Sequence, residues 1–306
     1  MEYELYKLKF KTAVHLGQGR LEEGAEVFHA DTLFSALCFE ALNLGGEALL
    51  KTLVEAAEEG KIKISGGLPY IGDTYYIPKP MIPVTTEASN SVDKKAMKNL
   101  TYIPIQQIGE YLNGKLDPTV YVEALSNLGK KDVRTGVGLS TLGENDLFYV
   151  ETYCFEEDAG LYILVGYDRE EERYLMGDLI EALGYSGIGG KRSSGLGQFE
   201  ARLGDLPEGF SDRLKQESET RVMALNACLP KDNLEMVAKD ASYRLIKRSG
   251  FVSSPTFAKE HQKKKTSYFF SPGSVFHRTF NGSIQEVSLG GNHPVYRYAM
   301  PMFLEV

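Results

Sequence analysis

The chain has 306 residues, 42% of them hydrophobic, and a formal net charge of −8 at pH 7, which suits two domains or one large one with a substantial core. No apolar run approaches the ~20 residues of a membrane span, and Met1-Glu2-Tyr3-Glu4 lacks the basic-then-apolar pattern of a secretory signal. Cys38, Cys154 and Cys228 make no metal spacing and cannot all pair, so a reduced, cytoplasmic setting with the thiols packed in the core is expected.

In chain order, residues 3–14 alternate, with Tyr6, Leu8, Phe10 and Val14 opposite Lys7, Lys9 and Lys11, which predicts a strand with one buried face. A glycine-bearing loop follows from His15 to Arg20. Asp31 is placed to N-cap a helix whose stripe is Phe34, Leu37, Cys38, Ala41 and Leu44, ending at Gly45-Gly46. A second helical stretch carries Leu49, Leu50, Leu53 and Val54 and stops at Gly60. Lys61–Ser65 and Thr74–Ile77 read as short strands. From residue 78 to about 143 the pattern loosens, interrupted by prolines 78, 80, 83, 104 and 118. We read it as a surface insertion with one helix within 96–112, and it contains Arg134. Strand patterns return at Leu147–Phe155 and Leu161–Tyr167, then a helix spans 170–184 and a half-buried strand spans 198–203. Without the insertion the order is β-α-β-β-α-β, the ferredoxin-like order.

After Pro207 a second round begins. Arg221–Leu229, Tyr243–Lys247, Thr266–Phe270, Ser274–Phe276, Ser283–Val287 and Pro294–Val306 are its strand candidates, with a short helix over Lys231–Asp240. Charge is uneven. Residues 241–306 sum to +6, leaving −14 on residues 1–240. A basic end on an acidic body is compatible with a localised nucleic-acid footprint, or else with a solvated lysine-rich loop at 259–265.

The stretch Ser186-Gly187-Ile188-Gly189-Gly190-Lys191-Arg192-Ser193-Ser194-Gly195-Leu196-Gly197 holds five glycines, two adjacent cations and three hydroxyls. Such a loop can bring backbone N–H groups close to an anion and add charge around it. It is not a P-loop, because Tyr185 stands where the first glycine belongs and Arg192 where Ser or Thr must follow the lysine. Nor is it a dinucleotide loop, since Arg192 replaces the third glycine. Both nucleotide loops also run from strand to helix, whereas this one runs from helix to strand.

A G-x-G-G-K-R-S-S-G-x-G loop between the last helix and last strand of a ferredoxin-like unit resembles the glycine-rich loop of the RAMP superfamily of CRISPR-associated proteins. Five further segments, taken in order, resemble the fourth-subunit family of the type III-A Csm effector complex over nearly the whole length. They are His15-Leu16-Gly17-Gln18-Gly19, Ala30-Asp31-Thr32-Leu33-Phe34, Pro78-Lys79-Pro80, Tyr111-Leu112-Asn113-Gly114 and Ser249-Gly250-Phe251. The tail His293-Pro294-Val295-Tyr296-Arg297-Tyr298-Ala299-Met300-Pro301 completes the set. The resemblance implies an α+β protein of two ferredoxin-like (RRM-like) domains, 1–205 and 206–306, with a thumb-like insertion at about 78–143 and the glycine-rich loop at 186–197. It implies a non-catalytic subunit that binds and caps the crRNA 5′ handle beside the large polymerase-like subunit and the backbone RAMP subunit. No cofactor, metal or membrane is implied.

The residues offered to RNA are His15, Gly17, Gly19 and Arg20, with Lys79 on a stiff Pro-flanked segment and Arg134 as a tip residue of the thumb. The loop adds Gly189, Gly190, Lys191, Arg192, Ser193 and Ser194. The basic run Lys247, Arg248, Ser249, Gly250 adds charge, and Phe251 adds a ring that either stacks on a base or packs in the core. Two other readings stay open: an endoribonuclease using His15 as general base, for which no acid partner is marked, and a protein-interaction subunit without RNA affinity of its own.

Overall fold

The computed structural model describes residues 1–84, 91–138, 146–215, 221–254, 256–258 and 262–306. β1 (Glu2–Phe10) is the central strand of the first sheet. It is followed by the two-residue pair β2 (Leu16–Gly17) and β3 (Gly24–Ala25), by α1 (Ala30–Glu58), and by β4 (Ile62–Ile64), β5 (Leu68–Ile71) and β6 (Thr74–Pro78). The insertion contributes α2 (Ser91–Asn99), β7 (Tyr102–Pro104), α3 (Ile108–Leu112), α4 (Pro118–Ser126) and the strands β8 (Gly129–Gly138) and β9 (Asp146–Phe155). Then come β10 (Ala159–Tyr167), α5 (Glu170–Ser186) and β11 (Phe199–Gly204).

The sheet runs β11-β1-β10-β5-β6-β7, with β4 also pairing β10. β1 lies antiparallel to both β10 and β11, with Glu2 opposite Tyr167 and Phe10 opposite Phe199. Counting β4 and β5 as one interrupted strand, the order is 4-1-3-2, that of a ferredoxin-like sheet. The alternation in β1 predicts one buried face, but both are covered. Tyr6 and Leu8 pack with α1 and α5, while Leu5, on the other face and fully buried, packs with Ile103, Ile105 and Met302.

α1 departs from its expected start. His29 is the N-cap, and Asp31 lies in the first turn. The two expected helical stretches are one element broken at Gly46 (φ 66°, ψ −156°), a conformation open essentially to glycine. By length and composition α1 is apolar enough to cross a membrane. Its stripe Leu33, Phe34, Leu37, Ala41, Leu53 and Val54 instead fills the core against the sheet.

The insertion holds more structure than its sequence suggests. No single helix occupies 96–112. α2 stops at Asn99, β7 pairs with β6 and ends at Pro104, which cannot donate to a helix ladder, and a short turn at Ile105–Gln107 leads into α3. α4 carries an N-cap, Asp117, followed by Pro118 at the first helical position. β8 and β9 form a ten-residue antiparallel hairpin from Gly129↔Phe155 to Gly138↔Asp146. The strand expected at 147–155 is therefore the return arm of this thumb and not a strand of the main sheet.

The second half contains α6 (Phe210–Lys215), β12 (Val222–Ala224), α7 (Leu234–Ala238), β13 (Leu245–Arg248), β14 (Ser267–Phe270), β15 (Val275–Phe276), β16 (Ile284–Glu286), β17 (Tyr296–Tyr298) and β18 (Phe303–Glu305). β12 lies between β15 and β18, a bridge joins Cys228 to Phe270 of β14, and β14 pairs with β13. The 4-1-3-2 order thus recurs, with its third strand broken between β14 and β15. Where a second helix would cross, the hairpin β16–β17 stands and packs on α1. The halves are stitched by buried polar groups. Asn226 donates to the carbonyls of Ile64 (3.2 Å) and Met300 (2.8 Å), and Tyr298 accepts from the Ile64 N–H at 3.0 Å.

Candidate nucleic-acid interface

The glycine loop leaves α5 at Gly187, whose N–H donates to the Leu183 carbonyl at 2.7 Å. It closes on itself through Ile188 N–H to Gly197 O at 3.0 Å, and on the chain after β1 through Gly197 N–H to Ala13 O at 2.9 Å. A Cβ on Gly197 (φ 78°) would stand 2.0 Å from the Ile188 carbonyl oxygen. Below the loop, the Ser186 hydroxyl donates to the buried Glu40 carboxylate at 3.1 Å. No sequence signal marked Glu40, which looks like one more polar helix residue.

Two expectations for the loop need correction. The Gly190 N–H is unavailable to a phosphate, because it donates to the His15 carbonyl at 2.8 Å. The adjacent cations also diverge, since Lys191 is left-handed (φ 58°). Its ammonium lies 4.8 Å from the Phe148 ring centroid on the thumb, whereas the Arg192 guanidinium lies 5.7 Å from the Phe39 ring centroid beside the cleft. Ser193 and Ser194 are exposed on the tight turn that follows. Among the described residues, no backbone acceptor meets the N–H groups of Gly189, Arg192 and Ser193.

His15 is buried (4% exposed), and its Nδ1 hydrogen-bonds the Glu151 carbonyl at 2.7 Å. Its ring fills the space that a Cβ on Gly190 or Gly17 would enter, 2.8 Å and 3.1 Å away. It is a spacer holding the two glycine loops together. The thumb is tied to the same place: Glu151 accepts from the Gly24 N–H and from Lys131, each at 2.9 Å.

These segments frame a cleft of about 600 Å³. Gly17 and Gly19 form one wall, Gly189, Gly190 and Arg192 another, and Lys247 to Phe251 a third, with the start of α1 as the floor. Phe251 is 53% exposed, so it is not a core ring. Among the described residues, the lining carries Arg192, Lys247, Arg248, Lys264 and Arg297 against one acid, Asp31. Arg248 differs from its sequence assignment. Its guanidinium grips Asp31 bidentately (2.9 and 2.7 Å), with Arg297 3.9 Å from the same carboxylate. Burial by itself would raise the Asp31 carboxyl; Arg248 outweighs it and holds the group below the usual range. Burial first, then Arg297, lowers the Lys264 ammonium. Asp31 therefore leaves the cleft with positive charge in excess.

Of the expected residues, His15, Lys191, Ser193 and Ser194 lie beside the cleft without lining it, and three more stand elsewhere. Arg20 is exposed on the turn between β2 and β3, outside the cleft lining. Arg134 sits mid-strand in β8 opposite Val150, not at the tip of the thumb; the tip, 139–145, lies outside the described residues. Lys79 lines a different cleft. Among the described residues no group of three or more His, Cys, Asp or Glu side chains could hold a metal.

Two 4-1-3-2 sheets, a glycine-rich loop between the last helix and strand of the first, and a thumb rooted beside it define a RAMP-type protein. The RAMP superfamily profile matches residues 7–200, and that of the CRISPR Csm4 C-terminal domain matches residues 217–306. The chain is 38% identical to the CRISPR system Cms protein Csm4 of Mycobacterium tuberculosis, covering 99% of this chain and 98% of that one. It is 33% identical to the protein of the same name from Streptococcus thermophilus, covering 100% and 99%. The chain belongs to the Csm4 family. Its fold matches a chain of the Csm3–Csm4 subcomplex in the type III-A CRISPR-Cas interference complex, with TM-score 0.68, 20% identity and coverage of 100% and 99%. It also matches a chain of the Csm1–Csm4 cassette in complex with pppApA, with TM-score 0.64, 20% identity and coverage of 100% and 98%.

Proposed function

We propose that this chain is a non-catalytic subunit of a cytoplasmic type III-A CRISPR effector complex, where it binds and caps the 5′ handle of the crRNA. Its neighbours in that reading are the large polymerase-like subunit and the backbone RAMP subunit, as the Csm1–Csm4 and Csm3–Csm4 assemblies of related proteins suggest. The chain divides into units 1–205 and 206–306, with the RNA held where they meet.

The observation that carries the reading is the cleft itself. Loops 15–20, 186–197 and 247–251 are far apart in sequence, yet they line one groove with an excess of cations and an exposed ring. Single-stranded RNA needs that pairing of phosphate contacts and stacking platform. Arg192 supplies a bidentate phosphate grip, Lys247 and Lys264 act as point charges, and Phe251 offers a face to a base. The N–H groups of Gly189, Arg192 and Ser193, which meet no backbone acceptor among the described residues, add donors without charge. Gln18 and the hydroxyls of Ser193 and Ser194 are short enough to read 2′-OH groups at the rim. His15, buried and bonded to a carbonyl, supports a positioning role and not proton transfer.

The test is Lys191→Ala with Arg192→Ala, assayed by fluorescence anisotropy on a repeat-derived handle RNA. Removing the Arg192 grip in the cleft together with the Lys191 charge beside it should weaken binding by about 30-fold or more, roughly 2 kcal/mol. The melting temperature should stay within about 2 °C, because both side chains lie at the surface of the loop. Unchanged affinity sinks the assignment of the loop. Metal-independent cleavage of the RNA that disappears in His15→Ala would establish the endoribonuclease reading instead.

A further inference from the structure

A second cleft, about 1,070 Å³, shares no lining residue with the first. It lies between the segment after β6, α2, the start of α4 and the chain leading into β13. Five cations line it: Lys79, Lys94, Lys98, Lys115 and Arg244. Asp117 is the one acid among the described lining residues, and it is already committed. Its carboxylate accepts from the Thr119 N–H at 2.9 Å and hydroxyl at 2.6 Å, capping α4. No ion pair joins any of the five cations to a carboxylate among the described residues.

Lys79 is half-buried between Pro78 and Pro80 and donates to the Met97 carbonyl. Burial lowers its pKa, and Arg244 lowers it further. Like charges therefore face one another here without a counter-ion among the described residues, a state that a bound polyanion relieves. The floor is apolar, with Ile82, Val84 and Met97 packed on the core beneath. Tyr243, 41% exposed, is held edge-on to Phe270 at 4.7 Å. The volume sits at the upper end of the roughly 300–1,000 Å³ of small-molecule sites, more than one phosphate would fill. Continuity with the first cleft decides the ligand. Arg244 stands one residue before β13 and Lys247 lies on it. At about 3.3 Å per extended residue, the backbone positions that carry cations of the two clefts are only ~10 Å apart.

We propose that this cleft binds a further stretch of single-stranded RNA, continuing from the stretch in the first, with Lys115 and Arg244 on phosphates and Tyr243 against a base. The proposal rests on the RNA-binding reading of the first cleft and extends it.

The test uses the full chain with fluorescein-labelled RNAs of about six and about fourteen nucleotides, spanning the usual range of site sizes. Lys115→Ala with Arg244→Ala should weaken the longer RNA about tenfold, leave the shorter unchanged, and make the salt slope for the longer shallower by about 1.4. Unchanged affinity for the longer RNA overturns the proposal, and so does an equal loss at both lengths. Arg192→Ala reports on the first cleft separately and should weaken both RNAs. If it weakens neither while the other pair still acts on length, the first-cleft reading fails and the second cleft stands. Should the alanine pair lower the melting temperature, Lys115→Gln with Arg244→Gln takes its place with the same expected outcomes.

Discussion

Asp31 decides the electrostatics of the first cleft. Placed in the first turn of α1, it neutralises Arg248 and leaves Arg192, Lys247 and Lys264 for a ligand. His29, the N-cap beside it, is pushed down to about 4 by burial and, second, by Arg248. The unfolded chain thus takes up a proton near pH 6.5 that the folded chain refuses until about pH 4. Stability from this group is fully present above pH 6.5 and is lost as the pH falls towards 4. Asp31, depressed below its ordinary 3.8, acts in the same direction in a lower window: its contribution holds above that value and is lost as the pH falls through its lower folded pKa. The melting temperature should therefore drop between pH 6.5 and 4 and drop less in His29→Gln, while Asp31→Asn reduces the loss below pH 3.8. Thermal scans against pH at constant ionic strength measure both windows. An unaltered slope in His29→Gln rejects the His29 assignment. Sequence reading found the N-terminal region of this helix and chose Asp31 as its cap, because an N-cap acid and a first-turn acid two residues on look alike in one dimension. The partner, Arg248, is 217 residues away.

Elements were legible wherever a local period or punctuation specified them. The helix at 170–184, the strands at 161–167 and 198–203, and the stop at Gly46 all appear close to their expected bounds. The insertion was the least legible part, because Pro104 interrupts its helical pattern and the first arm of the β8–β9 hairpin is rich in glycine and charge. The glycine loop shows why composition alone cannot assign its parts. Gly197 is required by contact as well as conformation, since its Cβ would meet the Ile188 oxygen at 2.0 Å, whereas Gly195 (φ 78°) faces open space. Gly195→Ala should cost about 1 kcal/mol of left-handed strain, and Gly197→Ala about 3 kcal/mol or more, since the loop itself must shift. Chemical denaturation of the two variants compares them directly. Equal losses would mean that the loop closes differently.

At the scale of the whole molecule, the net charge of −8 conceals where the charge lies. The cations of both clefts come from four or more segments, and each cleft is bordered by only one acid among the described residues. RNA affinity should therefore fall steeply with salt despite the acidic total. If about six phosphates are neutralised, log K against log salt has a slope near −4 for a single strand. Titrations across a salt series give the slope, and an affinity indifferent to salt removes the electrostatic part of the model.

By itself the sequence determined the repeated order of strands and helices, the glycine-rich loop and its exclusion from nucleotide folds, and the basic character of the C-terminal quarter. These are properties of local period, spacing and composition, which act within a turn or a strand. Only the tertiary structure decided which cations are spent and which remain. The clamp of Arg248 on Asp31, the capture of the Gly190 N–H by His15 and the removal of Lys79 to a second cleft all depend on residues brought together by sheet pairing across tens or hundreds of positions. A charge in a sequence has no partner until the chain folds, and the partner determines whether that charge is left for RNA.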